Sequence, residues 1–216
     1  MVIELSKQFS LVNSWINELR NVDAQQDRMR FRRNMERIGE IAAFEISKDL
    51  ETKEIEIQTP LDKIQVQEIA VQPIITTILR AGVPLFQGVL NYFDKADCGF
   101  VAAYRKHDAN DYFSIKQDYL TCPNIDGRPL IVADPMLATG ASLIEAIKDL
   151  LTNGTPSQLH IVAAIASKQG VETIEKDYPQ AKIWVGAIDE HLTTKGYITP
   201  GLGDAGDLSY GEKLQR

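Results

Sequence analysis

The chain of 216 residues carries a formal net charge of −7 and a pI near 5.0, a balance that disfavours non-specific attachment to nucleic acid or anionic lipid. With 44% hydrophobic and 25% charged residues it has the make-up of a globular protein with one core, which excludes collagen-like, low-complexity and wholly disordered chains. No run reaches the ~20 apolar residues of a membrane helix. Near the N-terminus Glu4, Lys7, Glu18 and Arg20 stand where a signal peptide would have its apolar centre, so a cytoplasmic location is expected. Cys98 and Cys122 fall in no metal-binding or redox spacing and read as buried reduced thiols.

Val12, Trp15, Ile16 and Leu19, and then Phe31, Met35, Ile38 and Ala42, recur at helical spacing and predict two amphipathic helices. They form an expected N-terminal helical appendage over residues 1–50. Residues 54–57 alternate charge with Ile and are followed by Thr59-Pro60, the pattern of an edge hairpin. Beyond Pro73, which a central strand would not tolerate, come five short apolar runs at 74–79, 99–104, 130–133, 159–166 and 183–186. Such runs suit strands buried on both faces, and helices predicted over 84–93, 142–151 and 171–178 separate them. This alternation predicts an α/β fold with a parallel sheet in a single domain, its core spanning residues 69–186. Regular structure is expected to lapse at 105–114 and through a tail at 187–216, and long loops in such folds often carry function.

Leu130-Ile-Val-Ala-Asp-Pro-Met-Leu-Ala-Thr-Gly-Ala-Ser142 holds the most chemistry. A buried strand runs into Asp134, a loop of small residues and a helix start. Amides of Thr139, Gly140, Ala141 and Ser142 would form a bowl at the positive end of that helix, suited to a monophosphate. Asp134, at the carboxyl end of the strand, would face the same crevice and accept hydrogen bonds from sugar hydroxyls. Phosphate plus diol points to a ribose 5-phosphate. The loop is neither a Walker P-loop nor GxGxxG. Taken alone, it could also be an ordinary strand–turn–helix capped by Thr139 or Ser142.

Asp134 to Ser142 resembles the PRPP-binding signature of type I phosphoribosyltransferases, in the form found in uracil phosphoribosyltransferases; PRPP is 5-phosphoribosyl 1-diphosphate. Ile78-Leu-Arg-Ala-Gly82 resembles the family's diphosphate loop. Gly196-Tyr-Ile-Thr-Pro-Gly-Leu-Gly-Asp-Ala-Gly-Asp207 resembles its uracil-binding segment. The motifs stand in the family's order, and the similarity extends over residues 28–211. The resemblance implies a parallel-sheet type I phosphoribosyltransferase core with crossover helices and a β-hairpin or hood. It also implies conversion of uracil and PRPP to UMP and diphosphate in pyrimidine salvage.

The residue roles follow from the same resemblance. Arg80 and Arg105 would hold diphosphate, helped by Lys106 and His107, and the guanidinium fork suits its oxygens. Asp134, Pro135, Met136, Leu137, Ala138, Thr139, Gly140, Ala141 and Ser142 would hold the ribose phosphate, and residues 106–117 would be the hood. Ile198, Gly203, Asp204 and Ala205 would read uracil, whose acceptor–donor–acceptor edge suits main-chain groups in a tail crowded with Gly and Pro. Asp204 would hold the loop and the waters of Mg-PRPP, and it is the nearest candidate for a general base. The sequence shows no cluster of metal-binding carboxylates, so Mg²⁺ is expected to arrive with PRPP. Ala141 departs from the family's second Gly, and the hood lacks the usual Asn-Glu-Glu stretch.

No nucleic-acid or membrane partner is expected, and a homo-oligomer, a dimer or larger, is. The alternative is an RNA-binding regulator that kept the fold, for which Arg28, Arg30, Arg32, Arg33 and Arg37 would supply the basic face. A phosphoribosyltransferase for another base is the third option.

Overall fold

The computed structural model describes residues 1–107 and 113–213, with side chains described for 1–102 and 119–213. A short strand, β1 (Val2–Glu4), leads to α1 (Leu11–Arg20). The start of α1 is set by Ser10, whose hydroxyl accepts from the Val12 amide at 3.2 Å while Asn13 accepts from the Ser10 amide at 2.8 Å. Helix α2 (Arg28–Ser47) begins at Asp27, which accepts from the Arg30 amide at 3.0 Å. Strands β2 (Thr52–Gln58) and β3 (Lys63–Ile69) pair only with each other, in an antiparallel ribbon off the main sheet.

The α/β alternation follows: β4 (Ile74–Leu79), α3 (Val83–Leu90), β5 (Asp97–His107), β6 (Phe113–Thr121), β7 (Pro129–Ala133) and the two-residue β8 (Met136–Leu137). Next come α4 (Ala141–Leu150), β9 (Gln158–Ser167), α5 (Lys168–Asp177), β10 (Lys182–Asp189), β11 (His191–Leu192), β12 (Ile198–Thr199) and α6 (Ala205–Tyr210). The main sheet has the order β1-β10-β9-β7-β4-β5-β6, with β8 added beside β9. Neighbours are parallel except β6, which runs antiparallel to β5.

Burial explains the continuous apolar runs. Ile75, Ile131, Val162 and Trp184 pack on one side of the sheet with Leu19, Phe31, Met35, Ile38 and Leu85 from α1, α2 and α3. Their sequence neighbours Ile74, Leu130, Ile161 and Ile183 pack on the other side with Leu143, Ile147 and Ile174 from α4 and α5. The N-terminal helices are therefore more than an appendage. They form one of the two layers over the sheet, which their amphipathic pattern could not reveal because the pattern does not say what the apolar stripe covers.

Three elements differ from the sequence reading. The expected lapse at 105–114 is shorter: β5 continues to His107 and β6 starts at Phe113, with a register shift between Ala102 and Ala103. A polar antiparallel extension needs no apolar run, so the pattern was silent there. The tail, expected to be irregular, contains the β11–β12 pair and α6. Strand β1 is too short to show periodicity.

Candidate active site

Strand β4 has β5 on one side and β7 on the other, so the loops leaving β4 and β7 open a crevice at their carboxyl ends. Two hydroxyls tie those strands together below it: Thr77 donates to the Ala133 carbonyl at 2.9 Å and Thr76 to the Ile131 carbonyl at 3.3 Å.

The loop after β7 is held by backbone bonds. The Asp134 amide donates to the Val162 carbonyl at 3.0 Å, and the Pro135 carbonyl accepts from Ala164 and Ile165 at 3.1 and 3.0 Å. Gly140 then adopts φ +84°, a left-handed conformation that a side chain would strain, and α4 begins at Ala141. The left-handed position falls on Gly140, so an alanine fits at 141. The first helical bond runs from the Ile144 amide to the Gly140 carbonyl at 2.9 Å, so the amides of Ala141, Ser142 and Leu143 precede the ladder. Neither Thr139 nor Ser142 serves as an ordinary cap. Instead the cap residue is Gly140 with no side-chain cap bond, and Thr139 Oγ1 reaches only the Ala141 amide, at 3.4 Å. The positive end of α4, with the Ser142 and Leu143 amides ahead of the helical ladder, is thus suited to an anion.

Ser167, at the end of β9, was not singled out in the sequence. Its hydroxyl donates to the Ala138 carbonyl at 2.5 Å and accepts from the Gly170 amide at 2.9 Å, joining the phosphate-type loop to the start of α5. A serine between an apolar strand and a helix was the available signal.

Arg80 follows β4 directly, across a cis Leu79–Arg80 peptide. Its Nη2 donates to Asp207 Oδ1 and to the Gly211 carbonyl, both at 2.7 Å. The expected diphosphate arginine thus grips the tail. Arg105, Lys106 and His107 lie on β5, and their side chains, with those of the expected hood, fall outside the described residues.

In the tail, Ile198 and Ala205 are buried while Gly203 is exposed with φ +97°. Asp204 caps α6, its Oδ1 accepting from the Gly206 and Asp207 amides at 2.8 and 3.0 Å, and its Oδ2 meets Lys213 Nζ at 3.1 Å. Burial works against the charge on Asp204, but the Asp207 amide, the Lys213 ammonium and the Gly206 amide together hold its carboxyl below the usual range. A carboxylate so stabilised is a weak base. Gly206 lies against Ala81 and Arg80, and Gly196 lies against Thr139, so all three sequence motifs meet in one crevice.

The basic stretch of α2 is largely engaged within the chain. Arg30 pairs with Glu18 at 2.6 Å, Arg33 with Glu36 and Glu40 at 2.8 and 3.0 Å, and Arg32 donates to the Ser209 carbonyl at 2.8 Å. Hydrogen bonding from Arg30 is the main reason that Glu18 titrates near 2. Arg37 donates to Asn34 at 2.9 Å and lies over the Trp15 ring. These pairings leave α2 ill suited as an RNA face. Burial raises the Cys98 thiol and pushes Cys122 to about 11, so neither supplies a thiolate nucleophile near neutrality. Among the described residues, no three His, Cys, Asp or Glu side chains are grouped to hold a metal ion, and no helix is long and apolar enough to cross a membrane.

A parallel sheet with a strand–loop–helix turn at its switch point, and an arginine following the neighbouring strand, has the architecture of a type I phosphoribosyltransferase core. The family model for uracil phosphoribosyltransferase matches residues 6–211. A uracil phosphoribosyltransferase from Porphyromonas gingivalis is 47% identical over 99% of both chains. One from Thermococcus gammatolerans is 37% identical over 93% of this chain and 89% of its own. Among solved structures, the AQ2163 protein from Aquifex aeolicus superposes with a TM-score of 0.87 at 31% identity, covering 100% of both chains. The chain belongs to the uracil phosphoribosyltransferase family, enzymes of pentosyl transfer.

Proposed function

We propose that the enzyme transfers the phosphoribosyl group of PRPP to N1 of uracil, giving UMP and diphosphate. The observation that supports this reading is that Gly196 of the tail lies against Thr139 of the loop before α4 while Gly206 lies against Ala81 and Arg80, so the three motifs converge. The bowl binds the 5-phosphate through the amides that precede the helical ladder, and Asp134 takes the ribose hydroxyls. Uracil lies against the tail, its edge read by backbone groups around Ile198, Gly203 and Ala205.

The N1–C1′ bond forms as the C1′–diphosphate oxygen bond breaks, with positive charge growing on the ribose and negative charge on the leaving group. Arg80, with Arg105, stabilises the departing oxygens, and a diphosphate there competes with Asp207 and Gly211 for the Arg80 fork. Asp204, already engaged by two amides and Lys213, holds the loop, and the proton released from N1 passes to the departing diphosphate or to water. Mg²⁺ enters as part of the substrate, bound to PRPP, and chelation abolishes turnover until Mg²⁺ is returned.

The setting we propose is pyrimidine salvage in the cytoplasm, with the chain acting as a homo-oligomer. The β2–β3 ribbon supports the last point: Ile57 and Ile64 face each other across it at 40% and 52% exposure, and Leu61 at its turn is 96% exposed. An isolated two-stranded ribbon is marginal in water and gains from a covering partner. Light scattering on the purified chain gives the assembly size, and a monomer would remove this point. The reaction is tested by incubating Mg-PRPP with uracil, cytosine, hypoxanthine or adenine. UMP from uracil alone is expected; product from another base and none from uracil would overturn the assignment.

A further inference from the structure

The tail expected to read the base is pinned at its centre by an ion pair that neither the motifs nor the reaction requires. Asp189, at the last position of β10 and only 6% exposed, receives two hydrogen bonds from Arg20, Nη2 to Oδ1 at 2.7 Å and Nη1 to Oδ2 at 2.8 Å. The pair also holds Gly201 on both sides. Asp189 Oδ2 accepts from the Gly201 amide at 2.9 Å, and Arg20 Nη1 donates to the Gly201 carbonyl at 3.0 Å.

Gly201 stands midway between Ile198 and Gly203, so both ends of the base-reading segment depend on where it sits. It adopts φ +57°, and a Cβ there would collide with the Ile198 carbonyl, so the chain doubles back directly over Ile198. Arg20 itself is well anchored. It closes the last turn of α1, where a cation suits the helix dipole, while Val12, Ile16 and Leu19 fix that helix in the core. The guanidinium fork spans both carboxylate oxygens and a carbonyl at once, a geometry that lysine cannot reproduce. A buried ion pair is a poor source of net stability compared with apolar side chains of similar size. Its distinctive contribution is direction.

We propose that Arg20 and Asp189 are positioning residues for the nucleobase: from α1 and the end of β10 they fix the Gly201 peptide, and through it the spacing between Ile198 and Gly203–Ala205 that decides how well uracil fits. This rests on the assignment of uracil to the tail. The α4 bowl is held by other bonds, so the pair acts on the base and not on PRPP.

The test compares Arg20→Lys and Asp189→Asn with the unaltered enzyme, varying uracil at saturating Mg-PRPP and Mg-PRPP at saturating uracil. The uracil KM is expected to rise about tenfold in each variant, equivalent to about 1.4 kcal/mol, with the PRPP KM within about twofold and kcat within about threefold. Arg20→Met, which lacks the charge as well, is expected to exceed Arg20→Lys. Unchanged uracil KM values with a lowered melting temperature would show a purely structural pair and overturn the proposal, as would equal rises in both KM values. If Arg20→Lys does not fold by circular dichroism, Asp189→Asn, which keeps an acceptor for the Gly201 amide, decides by the same split. Ala205→Val, measured alongside, separates the two levels. If it spares uracil, the tail assignment fails and the proposal with it; if it impairs uracil while both ion-pair variants do not, only the proposal fails.

Discussion

The two halves of the site are built on opposite principles. The α4 bowl is local. Asp134 through Ser142 are contiguous, their backbone is tied to the adjacent strand β9, and the groups offered to a ligand are amides that any sequence of small residues would present. The tail is held from far away in the chain. Arg20 and Asp189 grip Gly201, Arg32 grips Ser209, and Arg80 grips Asp207 and Gly211. A phosphate is recognised by charge and needs only a positive concavity, which a helix terminus supplies. A neutral base is recognised by shape and hydrogen-bond pattern, so the backbone that reads it must be held in one conformation. Long-range side-chain clamps provide this where a six-residue helix and two short strands cannot.

That contrast can be broken by experiment. The largest effect is expected at Asp134, the side chain proposed to bond the sugar. Asp134→Ala removes a charged hydrogen bond of ~1.5–3 kcal/mol, so kcat/KM for PRPP falls at least about tenfold in a variant that still folds. Wild-type values there would remove the ribose from Asp134.

Ala205→Val should be next, and its effect should fall on the other substrate. A branched side chain at this buried position separates a backbone group from the base, costing ~1–3 kcal/mol or roughly five- to a hundredfold in kcat/KM for uracil. PRPP affinity measured by calorimetry stays within about threefold. Weakened PRPP with normal uracil use would contradict the division between bowl and tail.

Arg80→Lys tests the residue shared by both halves. It keeps the charge but loses the fork, so roughly three- to tenfold is lost in kcat/KM for PRPP. The tail is released from Asp207 as well, so the uracil KM should also rise, which Asp134→Ala would not cause. An effect on PRPP alone would mean that Arg80 does not couple the halves.

The smallest effect is expected at Ser167→Ala. The cap of α5 is lost for ~1 kcal/mol, lowering the melting temperature by roughly 2–4 °C. The Ala138 carbonyl loses one donor, while the uracil KM is unchanged. A loss of uracil affinity here would show that the bowl is less independent of the tail than its bonding suggests.

Much of this was legible in the residues, and the reasons are physical. Strands buried on both faces must be apolar throughout, so β4, β7, β9 and β10 stood out and the α/β class followed from their alternation with helices. The bowl was legible because its function is a property of local backbone: a buried strand, small residues and a helix start already dictate where the amides point. The assignment of a left-handed residue to Gly140 and a helical one to Ala141 agrees with what glycine and alanine each allow. The Gly- and Asp-rich tail announced a backbone built for close approach.

What the tertiary structure alone decided is where distant charges come to rest. Nothing in the spacing of Arg20, Asp189 and Gly201 joins residues separated by 169 and 181 positions. Nor does the pattern of α1 and α2 say that their apolar stripes cover the sheet rather than stand apart. The arginines of α2 read as one basic face, but packing sets Glu18 beside Arg30 and the Ser209 carbonyl beside Arg32, in addition to the Arg33 pairs with Glu36 and Glu40 along the helix itself. Sequence determines local backbone chemistry because its causes lie within a few residues. The partners of a long charged side chain depend on how separate elements stack, and only the folded chain brings them together.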